Sequence, residues 1–447
     1  MCTMCRNVYE KRRIVMATFG SLGDVHPYVA LALEMKARNL EPVIVTSEAY
    51  RAKIESLGIE FHPMRPAIPG FDDPKAAEIV DKIMNPQHGA EYLFKGLLVP
   101  AVRDSYNDLH EALEGADVLV THPMTLAGPL LAQKSGIPWV STVLAPASLW
   151  SDHDPFVPPN AAWIHSILRV GGPAVARGFR KLVEATTNAW LKPLYELRKE
   201  LFLPNDGHPL FQGQYSPALN LGLFSKAMCW RQPDWPRNTI IAGFPFYDKR
   251  DNSSMPPELL HFLDNGSAPI VFTLGSAAIH IAGDFFRESI EAAKILGRRA
   301  VLLIGSKKNS PKEPLPDGMV AFDYAPYGEL LPRAACIVHQ GGVGTTGQAL
   351  RAGVPMLVVP YNHDQPDNAA RVTRLGVART TSRTSYKASR VARELKELLE
   401  NSAYARRAQE VGEQVRVENG AATAVDVIFN SLRLNQEASR MTLLATA

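Results

Sequence analysis

The sequence contains little cysteine, with only four residues in a chain of 447. Cys2 and Cys5 form one C-x-x-C pair, but no second pair stands at the spacing that a zinc site needs. Cys229 and Cys336 are isolated and are expected to be small buried residues. Cysteine therefore gives no reason to expect a metal site.

A large excess of charge of either sign is also missing, since the formal net charge is +3. No dense block of basic residues occurs, so nucleic acid is not an expected partner. No apolar run reaches the length of a membrane span, and Ile14–Phe19 is too short for the core of a signal peptide. The sequence therefore predicts a cytoplasmic protein.

Strand and helix patterns alternate through both halves of the chain. Short apolar runs separated by helical periodicity predict parallel, doubly wound sheets with helices on both faces. The strands of the first half are predicted at Arg13–Phe19, Pro42–Thr46, Ile59–Met64, Asp117–Val120, Pro138–Val143 and Ala218–Phe224. Those of the second half are predicted at Pro269–Leu274, Ala300–Ile304, Met319–Phe322, Cys336–Val338 and Pro355–Pro360.

A proline-rich segment with little periodicity separates the two series, and within it only Thr239–Gly243 looks like a strand. We predict an N-terminal domain over residues 1–231, a linker over 232–257 and a C-terminal domain over 258–425. Residues 426–447 are expected to form a C-terminal helix and tail that cross back to the first domain. Two open-sheet domains joined in this way place a cleft between their carboxyl edges.

The most informative stretch of the sequence is Cys336–Gly376. A short buried strand is followed by a glycine-rich polar turn and then by a helix that ends at Gly353. Such a turn presents unpaired backbone N–H groups and the positive end of the helix dipole, which suit a phosphate group. The candidate phosphate site comprises His339, Gln340, Gly341, Gly342, Gly344, Thr345 and Thr346.

Two further polar residues, Asp364 and Gln365, follow the next strand. Loops at the carboxyl ends of parallel strands form the ligand crevice of an open α/β sheet. A carboxylate and an amide in that crevice can bind hydroxyl groups. The same two residues could instead cap the helix that begins near Pro366.

The first strand is followed by the polar segment GSLGDVHP, which contains Asp24 and His26. A helix is predicted next, over Tyr28–Arg38, and Pro27 suits its first position. A carboxylate between a strand end and a helix start can act as a general base in a cleft, or it can cap the helix. His26 is the better intrinsic base, because an unperturbed histidine has a pKa near ~6.5. Geometry inferred from the sequence does not separate the two.

These motifs carry a resemblance to a known family. The run HQGGVGTTGQALRAGVP, followed by DQPDNAARV and LGV, resembles the donor-binding signature of family 1 glycosyltransferases. The segment GSLGDVHP is similar to the family's N-terminal G-x-x-G-D-x-x-P pattern. The resemblance implies the α/β GT-B fold, in which two Rossmann-like, doubly wound parallel-sheet domains face a central cleft.

The resemblance also implies a reaction. Family members, among them sterol, rhamnolipid-type and antibiotic glycosyltransferases, lead us to expect an inverting, metal-independent transfer of a hexose from a UDP- or dTDP-sugar. The acceptor would be a hydroxyl group of an apolar molecule such as a lipid, sterol, polyketide or phenolic compound. No cofactor is expected beyond the nucleotide sugar, which is a co-substrate.

Individual roles follow from the matched positions. The family's base falls on Asp24, with His26 as its rival. Tyr324 would stack on the nucleobase and the backbone of Ala325 would read its edge. The remaining residues implied at the donor are Gly23, Ser276, Asp364 and Gln365.

One position departs from the family pattern. A histidine usually precedes the glycine pair, but this chain has Gln340 there and His339 one residue earlier. A neutral amide can donate a hydrogen bond but adds no charge. The helix dipole is therefore expected to carry more of the stabilisation of the diphosphate.

Residues 145–210 interrupt the alternating pattern and are rich in large apolar side chains. We interpret this segment as an inserted pair of helices over the sheet edge. Trp150, Phe156 and Trp163 are candidate walls for an apolar acceptor, or contacts for weak association with a membrane surface, if they are not simply core residues.

Other functions of these motifs remain open at this point. Asp152 and Asp154 resemble the D-x-D metal site of a different glycosyltransferase fold, but they lie far from any phosphate motif and are expected to be solvated. An epimerase or hydrolase of nucleotide sugars would use the same donor site without an acceptor pocket. A binding protein without catalysis would need the donor site alone.

Overall fold

The computed structural model describes residues 12–69, 74–159, 161–248 and 254–431. Cys2 and Cys5 lie outside these residues. Within them, no helix has both the length and the apolar composition needed to cross a membrane.

The N-terminal sheet is built from short, largely buried strands, as expected where helices cover both faces. They are β1 (Arg13–Ala17), β2 (Glu41–Thr46), β3 (Glu60–Pro63), β4 (Val118–Thr121), β5 (Trp139–Val143), β6 (Leu219–Gly222) and β7 (Thr239–Ile241). All neighbouring pairs are parallel, in the spatial order β3-β2-β1-β4-β5-β6-β7.

The helices of the N-terminal half connect these strands. In the described residues they are α1 (Leu22–Ala37), α2 (Arg51–Ser56), α3 (Pro74–Ile83), α4 (Gly89–Glu91), α5 (Val102–Ala112), α6 (Ala127–Ser135), α7 (Ala162–Thr187) and α8 (Lys192–Glu200). α7 is kinked at Gly172, which has φ +72° and precedes Pro173.

The C-terminal sheet repeats the same plan. Its strands are β8 (Ile270–Thr273), β9 (Ala300–Leu303), β10 (Met319–Phe322), β11 (Cys336–His339), β12 (Met356–Val358) and β13 (Ala378–Thr380). They are all parallel, in the order β10-β9-β8-β11-β12-β13. The described helices are α9 (Pro257–Asp264), α10 (Gly275–Ala278), α11 (Phe285–Leu296), α12 (Tyr327–Leu330), α13 (Val343–Ala352), α14 (Gln365–Arg374), α15 (Ala388–Glu400) and α16 (Ser402–Arg416).

This topology fixes where ligands bind in each domain. Strand order reverses between β1 and β4 in the first sheet and between β8 and β11 in the second. Open α/β sheets bind ligands beyond the carboxyl ends of the strands at such switch points. The predicted α/β architecture of two doubly wound parallel sheets is confirmed.

Local boundaries differ from the sequence predictions in two places that matter for the site. β7 lies inside the predicted linker 232–257, where Thr239 pairs with Asn220, so the first sheet extends to Ile241. α1 begins at Leu22 rather than at Tyr28, because Ser21 and Asp24 cap its start a full turn before Pro27. Asp24 therefore lies in the first helical turn and not in a free loop.

The chain returns to the first domain after α16. Residues 420–431 are helical, and Ala424, Val425 and Ile428 are buried in the core beneath the N-terminal sheet. Arg38 of α1 forms an ion pair with Asp426. Between α16 and this segment the helix is interrupted before Gly420, whose Cα packs directly against the backbone of Gly243.

Candidate active site

Asp24 is held at the switch point of the first sheet by the start of α1. Ser21 is the N-cap, and its side chain accepts a hydrogen bond from the backbone N–H of Gly23. In return, Oδ2 of Asp24 accepts hydrogen bonds from the backbone N–H of Ser21 at 2.7 Å and from its hydroxyl at 3.2 Å. This is a capping box, so Asp24 does cap the helix, but with one oxygen only.

The carboxyl group of Asp24 is unusually basic. Burial in the cleft raises its pKa to about 7, and the negative charge of Asp364 contributes to the same rise. A carboxyl group with that pKa exchanges a proton readily at neutral pH. Asp364 belongs to the C-terminal domain, so its charge acts on Asp24 across the cleft.

His122 follows β4 and faces Asp24, although the sequence reasoning did not identify it. Its Nε2 lies 3.6 Å from Oδ1 of Asp24, and burial lowers the pKa of the imidazole to about 3. Its Nδ1 accepts the backbone N–H of Met124 at 3.2 Å. The topology was the available signal, because β4 neighbours β1 at the switch point.

His26 points away from this group. Its ring lies 5.1 Å from the ring of Tyr247, in the segment that joins the two domains. Residues two apart on a helix do not share a face, so Asp24 and His26 project in different directions. The structure therefore places Asp24, and not His26, beside His122 and Asp364.

The glycine-rich turn lies at the switch point of the second sheet. α13 begins after Gly342, and its first turn includes Gly344, Thr345 and Thr346. Gly341 has φ +88°, and a Cβ atom there would lie 2.8 Å from Val358. This turn therefore requires glycine, and it leaves the N–H groups at the start of α13 directed at the cleft.

Gln340 occupies the space between two glycines. Its Nε2 lies 2.3 Å from an ideal Cβ of Gly275 and 2.7 Å from an ideal Cβ of Gly342, so a side chain at either position would collide with it. Its Oε1 is buried and finds no hydrogen-bond partner among the described residues. The amide therefore lies between the turn after β8, which carries Ser276, and the turn after β11.

His339 stabilises the glycine-rich turn through a hydrogen bond. It is fully buried, its Nδ1 accepts the N–H of Gly341 at 3.1 Å, and burial lowers its pKa to about 3. An imidazole with that pKa is neutral at pH 7. His339 therefore adds no positive charge to the site.

The loop after β12 brings Asp364, Gln365 and Asn368 to the opposite wall. Asp364 accepts a hydrogen bond from Nδ2 of Asn368 at 2.7 Å, and burial raises its pKa to about 6. Oε1 of Gln365 accepts the N–H groups of Tyr361 and Asn362 at 2.8 and 3.2 Å. Gln365 thus shapes the loop with its oxygen, and its Nε2 remains to donate.

This loop is fixed across the cleft to the first domain. Nδ2 of Asn362 donates to the carbonyl oxygens of Ile83 and Asn85 at 3.0 and 2.9 Å. Val343, at the start of α13, contacts the apolar cores of both domains. The donor-side residues and Asp24 therefore belong to one interdomain site.

The other residues predicted to bind the donor differ in burial. Tyr324 is half-buried after β10, and Ala325 is fully buried. Gly23 and Ser276 are partly exposed in the first turns of α1 and α10, and those two helices are in contact. These positions border the cleft, and the roles assigned to them remain predictions.

The predicted acceptor residues do not form one wall. Trp150 and Phe156 pack edge to face with ring centroids 4.6 Å apart. Trp150 also lines a cavity of about 540 Å³ with Phe211 and Tyr215, near the amino ends of β6 and β7. Trp163 lies on α7, where its side chain is 67% exposed.

Asp152 and Asp154 are engaged by arginines. Asp152 accepts hydrogen bonds from Arg177 and Arg180, and Asp154 pairs with Arg371 at 2.6 Å. Both carboxylates are therefore ion-paired, and the prediction that they are solvated is wrong. Across the described residues, no cluster of three or more acidic, histidine or cysteine side chains has the arrangement of a metal site.

Comparisons with known proteins agree with this geometry. The erythromycin biosynthesis protein CIII-like C-terminal domain model matches residues 288–427, and the glycosyltransferase family 28 N-terminal domain model matches residues 14–92. An O-mycaminosyltylonolide 6-deoxyallosyltransferase of Streptomyces fradiae is 31% identical over 448 residues, covering 93% of this chain and 96% of that protein. The chain belongs to the family 1 glycosyltransferases.

Further similarities place this glycosyltransferase among two groups of relatives. A sterol 3-beta-glucosyltransferase of Leptosphaeria maculans is 28% identical over 451 residues, which cover 95% of this chain but only 29% of that longer protein. The solved structure of the Streptomyces sp. SF2575 glycosyltransferase SsfS6 in complex with thymidine diphosphate has a TM-score of 0.65 at 19% identity, covering 94% of this chain and 99% of that one. The structural similarity confirms the GT-B fold predicted from the sequence.

Proposed function

We propose that this glycosyltransferase transfers a hexose, with inversion, from a UDP- or dTDP-sugar to a hydroxyl group of an apolar acceptor. The observation that carries the proposal is that Asp24, at the switch point of the first sheet, shares one interdomain cleft with the glycine-rich start of α13 and with Asp364. One group takes a proton, one holds the sugar, and the helix terminus receives the leaving diphosphate.

Asp24 is the general base of this proposal. Its Oδ2 is occupied by Ser21, so Oδ1 receives the acceptor proton as the hydroxyl oxygen attacks the anomeric carbon. The bond to the diphosphate breaks on the opposite face of the sugar, which inverts the anomeric configuration. A pKa of about 7 makes this oxygen a much stronger base than an ordinary aspartate at neutral pH.

The diphosphate is stabilised by hydrogen-bond donors instead of by charged side chains. The proposed donors are the N–H groups at the start of α13, the hydroxyl of Ser276 and the Nε2 of Gln340, which lies between the two glycine turns. Because His339 is neutral, the helix dipole supplies the positive potential. Thr346, whose Oγ1 is buried without a partner in the described residues, adds a further hydroxyl.

The sugar hydroxyls are held by the loop after β12. Asp364 accepts from them, and Nε2 of Gln365 donates to them. The buried Oδ1 of Asn368 has no partner among the described residues and offers another acceptor. Tyr324 stacks on the nucleobase, whose edge is read by the backbone of Ala325.

The nature of both substrates is supported by the relatives. Antibiotic and sterol glycosyltransferases are named among them, and one structural neighbour was solved with thymidine diphosphate. The acceptor is therefore proposed to be a sterol or a polyketide of similar size.

We test this function by product analysis. The enzyme is incubated with UDP-glucose or dTDP-glucose, with a sterol or a macrolide aglycone, and with no acceptor. The proposal predicts a hexose adduct of one acceptor by mass spectrometry and a β-linked product from an α-linked donor. Release of free sugar or an epimerised donor at the same rate without acceptor would contradict it.

Transfer is proposed to be independent of divalent metal. The helix terminus performs the role that a cation has in D-x-D enzymes, and Asp152 is committed to Arg177 and Arg180. EDTA should leave the rate unchanged. A loss of activity that added Mg²⁺ or Mn²⁺ restores would contradict this part of the proposal.

We further propose that α7 associates weakly with the surface of an anionic membrane. On its first half, Trp163, Ile167 and Val170 stand at helical spacing and are 67, 52 and 91% exposed. The helix also carries Arg169 and Lys181, whereas Arg177 and Arg180 are engaged by Asp152. An exposed apolar stripe beside an excess of basic residues is typical of helices that lie in the interface of a bilayer.

Vesicle binding tests this surface. We expect co-sedimentation with vesicles of phosphatidylcholine and phosphatidylglycerol, and severalfold weaker binding when Ile167 and Val170 are both replaced by serine. Ile295→Ser is the matched control, because Ile295 is 61% exposed on α11 of the other domain. Equal binding by the α7 variant and wild type would exclude the surface.

A further inference from the structure

His122 is a buried titratable group beside the proposed base, and a backbone hydrogen bond on the other side of its ring fixes the orientation of the imidazole. Nδ1 accepts the backbone N–H of Met124, so Nδ1 carries no proton and the proton of the neutral ring lies on Nε2. That Nε2–H points at Oδ1 of Asp24 over 3.6 Å. The hydrogen bond from the backbone of Met124 thereby fixes the tautomer of His122 and directs Nε2 towards Asp24.

The surroundings keep His122 in that state. Its side chain is 6% exposed, and its ring meets the ring of Tyr28 edge to face with centroids 6.2 Å apart. The hydroxyl of Tyr28 is engaged by Thr142 at 2.5 Å and so does not compete for the imidazole. His122 remains a neutral N–H donor throughout the neutral pH range, since burial lowers its pKa to about 3.

We infer that His122 is the positioning residue of the base: its Nε2–H orients Oδ1 of Asp24 and stabilises the ionised carboxylate that accepts the proton of the acceptor hydroxyl. This inference rests on the proposed function, in which Asp24 is the base. The proton moves from the acceptor oxygen to Oδ1, and His122 keeps its own proton throughout. A separation of 3.6 Å is slightly longer than a hydrogen bond, and catalytic hydrogen bonds tighten when substrates bind.

The other charged and titratable neighbours of Asp24 do not stabilise its ionised Oδ1. Asp364 opposes ionisation across the cleft, Tyr28 and Tyr50 are neutral, and Ser21 binds the other carboxylate oxygen. His122 is thus the side chain that supplies an N–H group on the Oδ1 side. Its removal should raise the pKa of Asp24 and leave the capping of α1 intact.

The test is the pH dependence of kcat/KM in three variants with nucleotide affinity measured in parallel. His122→Phe keeps a buried ring on Tyr28 but removes both nitrogens, and we expect its acidic limb to move upward by about one pH unit. His122→Gln restores an N–H donor and should recover part of that shift. Tyr28→Phe, which removes a neighbouring hydroxyl not bonded to Asp24, should leave the limb in place.

The outcomes separate this inference from the proposed function. An acidic limb of His122→Phe at the wild-type position, or an equal shift in Tyr28→Phe, would overturn the role of His122 while leaving Asp24 as the base. Retention of transfer by Asp24→Asn would overturn the base itself, and with it the role of His122. Unchanged nucleotide affinity in all variants would show that the donor half of the site remains folded.

Discussion

Asp24 serves two purposes at once, and each uses a different oxygen. Oδ2 completes the capping box of α1, whereas Oδ1 faces His122 and the cleft. The cap fixes the side chain in a single orientation, which general-base catalysis requires. The two interpretations that the sequence left open, capping and catalysis, are therefore compatible at this residue.

The raised pKa of Asp24 predicts a pH dependence of stability. Its pKa is about 7 in the folded protein and near the ordinary value of 3.8 in the unfolded chain, so the folded state binds more protons between these values. This contribution is full below about pH 4 and is lost as pH rises through about 7. Thermal unfolding should show that Asp24→Asn gains stability relative to wild type as pH rises from about 4 to about 8.

A matched measurement identifies the source of that gain. Glu48 is exposed and its pKa is lowered by Arg51, so Glu48→Gln should show no such gain at alkaline pH. A pH-independent difference between Asp24→Asn and wild type would contradict the burial of an ionisable carboxylate at this position.

At the scale of elements, the start of α13 is the part of the site most clearly encoded by glycine. Gly341 needs a positive φ, and Gly342 leaves room for Gln340. Gly344 differs from both, because a Cβ atom there meets no heavy atom within 4 Å. A side chain at Gly344 would therefore be tolerated by the fold and would enter the space where the phosphate is proposed to bind.

We predict that Gly344→Leu folds but binds UDP and dTDP at least about tenfold more weakly by calorimetry, because a side chain that projects from the first turn prevents close approach of the backbone to phosphate. Gly178→Leu in α7 is the control, since a Cβ atom there also meets nothing within 4 Å. Wild-type affinity in Gly344→Leu would exclude the start of α13 as the diphosphate site.

Sequence patterns predicted these elements well where the signal was local. The apolar runs and glycine turns gave the parallel strands and the start of α13, because each depends on residues close in sequence. The start of α1 was missed, since Pro27 suggested a first helical position and the capping box of Ser21 and Asp24 acts earlier in the chain. β7 was predicted as a strand at Thr239–Gly243, but it was placed in the linker because the residues around it are rich in proline and carry little periodicity.

His122 shows why the rest of the site could not be read from the sequence. A lone histidine after an apolar strand has no distinguishing pattern, and its partner Asp24 follows a different strand, far away along the chain. Only the strand order, with β4 beside β1, brings the two together. The same is true of Asp152 and Asp154, whose arginine partners lie on α7 and α14.

At the scale of the whole molecule, the returning C-terminal helix is one of the contacts that join the two domains. Ile428 is 2% exposed in the core of the first domain, although α16 immediately before this segment packs on the second. Ile428→Ala should destabilise the protein by about 2–5 kcal/mol, as expected for a large core truncation. Val417→Ala, at an 84% exposed position before the same helix, should change stability by less than about 0.5 kcal/mol.

Loss of that anchor should also weaken donor binding, because the cleft depends on both domains. We expect nucleotide affinity to fall in Ile428→Ala and to remain at the wild-type value in Val417→Ala. Equal melting temperatures for Ile428→Ala and wild type would show that the returning helix does not contribute to the stability of the fold.

The central claim is that Asp24, and not His26, is the base of the transfer reaction. The most direct measurement compares Asp24→Asn with His26→Gln for sugar transfer, with calorimetric nucleotide binding as the control for folding. The asparagine substitution keeps the size and the capping oxygen of aspartate but removes its basicity, and loss of a general base typically costs ~10²–10⁴ in rate. We predict that Asp24→Asn binds nucleotide normally and loses transfer by at least ~10², while His26→Gln loses less; abolished turnover in His26→Gln with near wild-type turnover in Asp24→Asn would contradict the account.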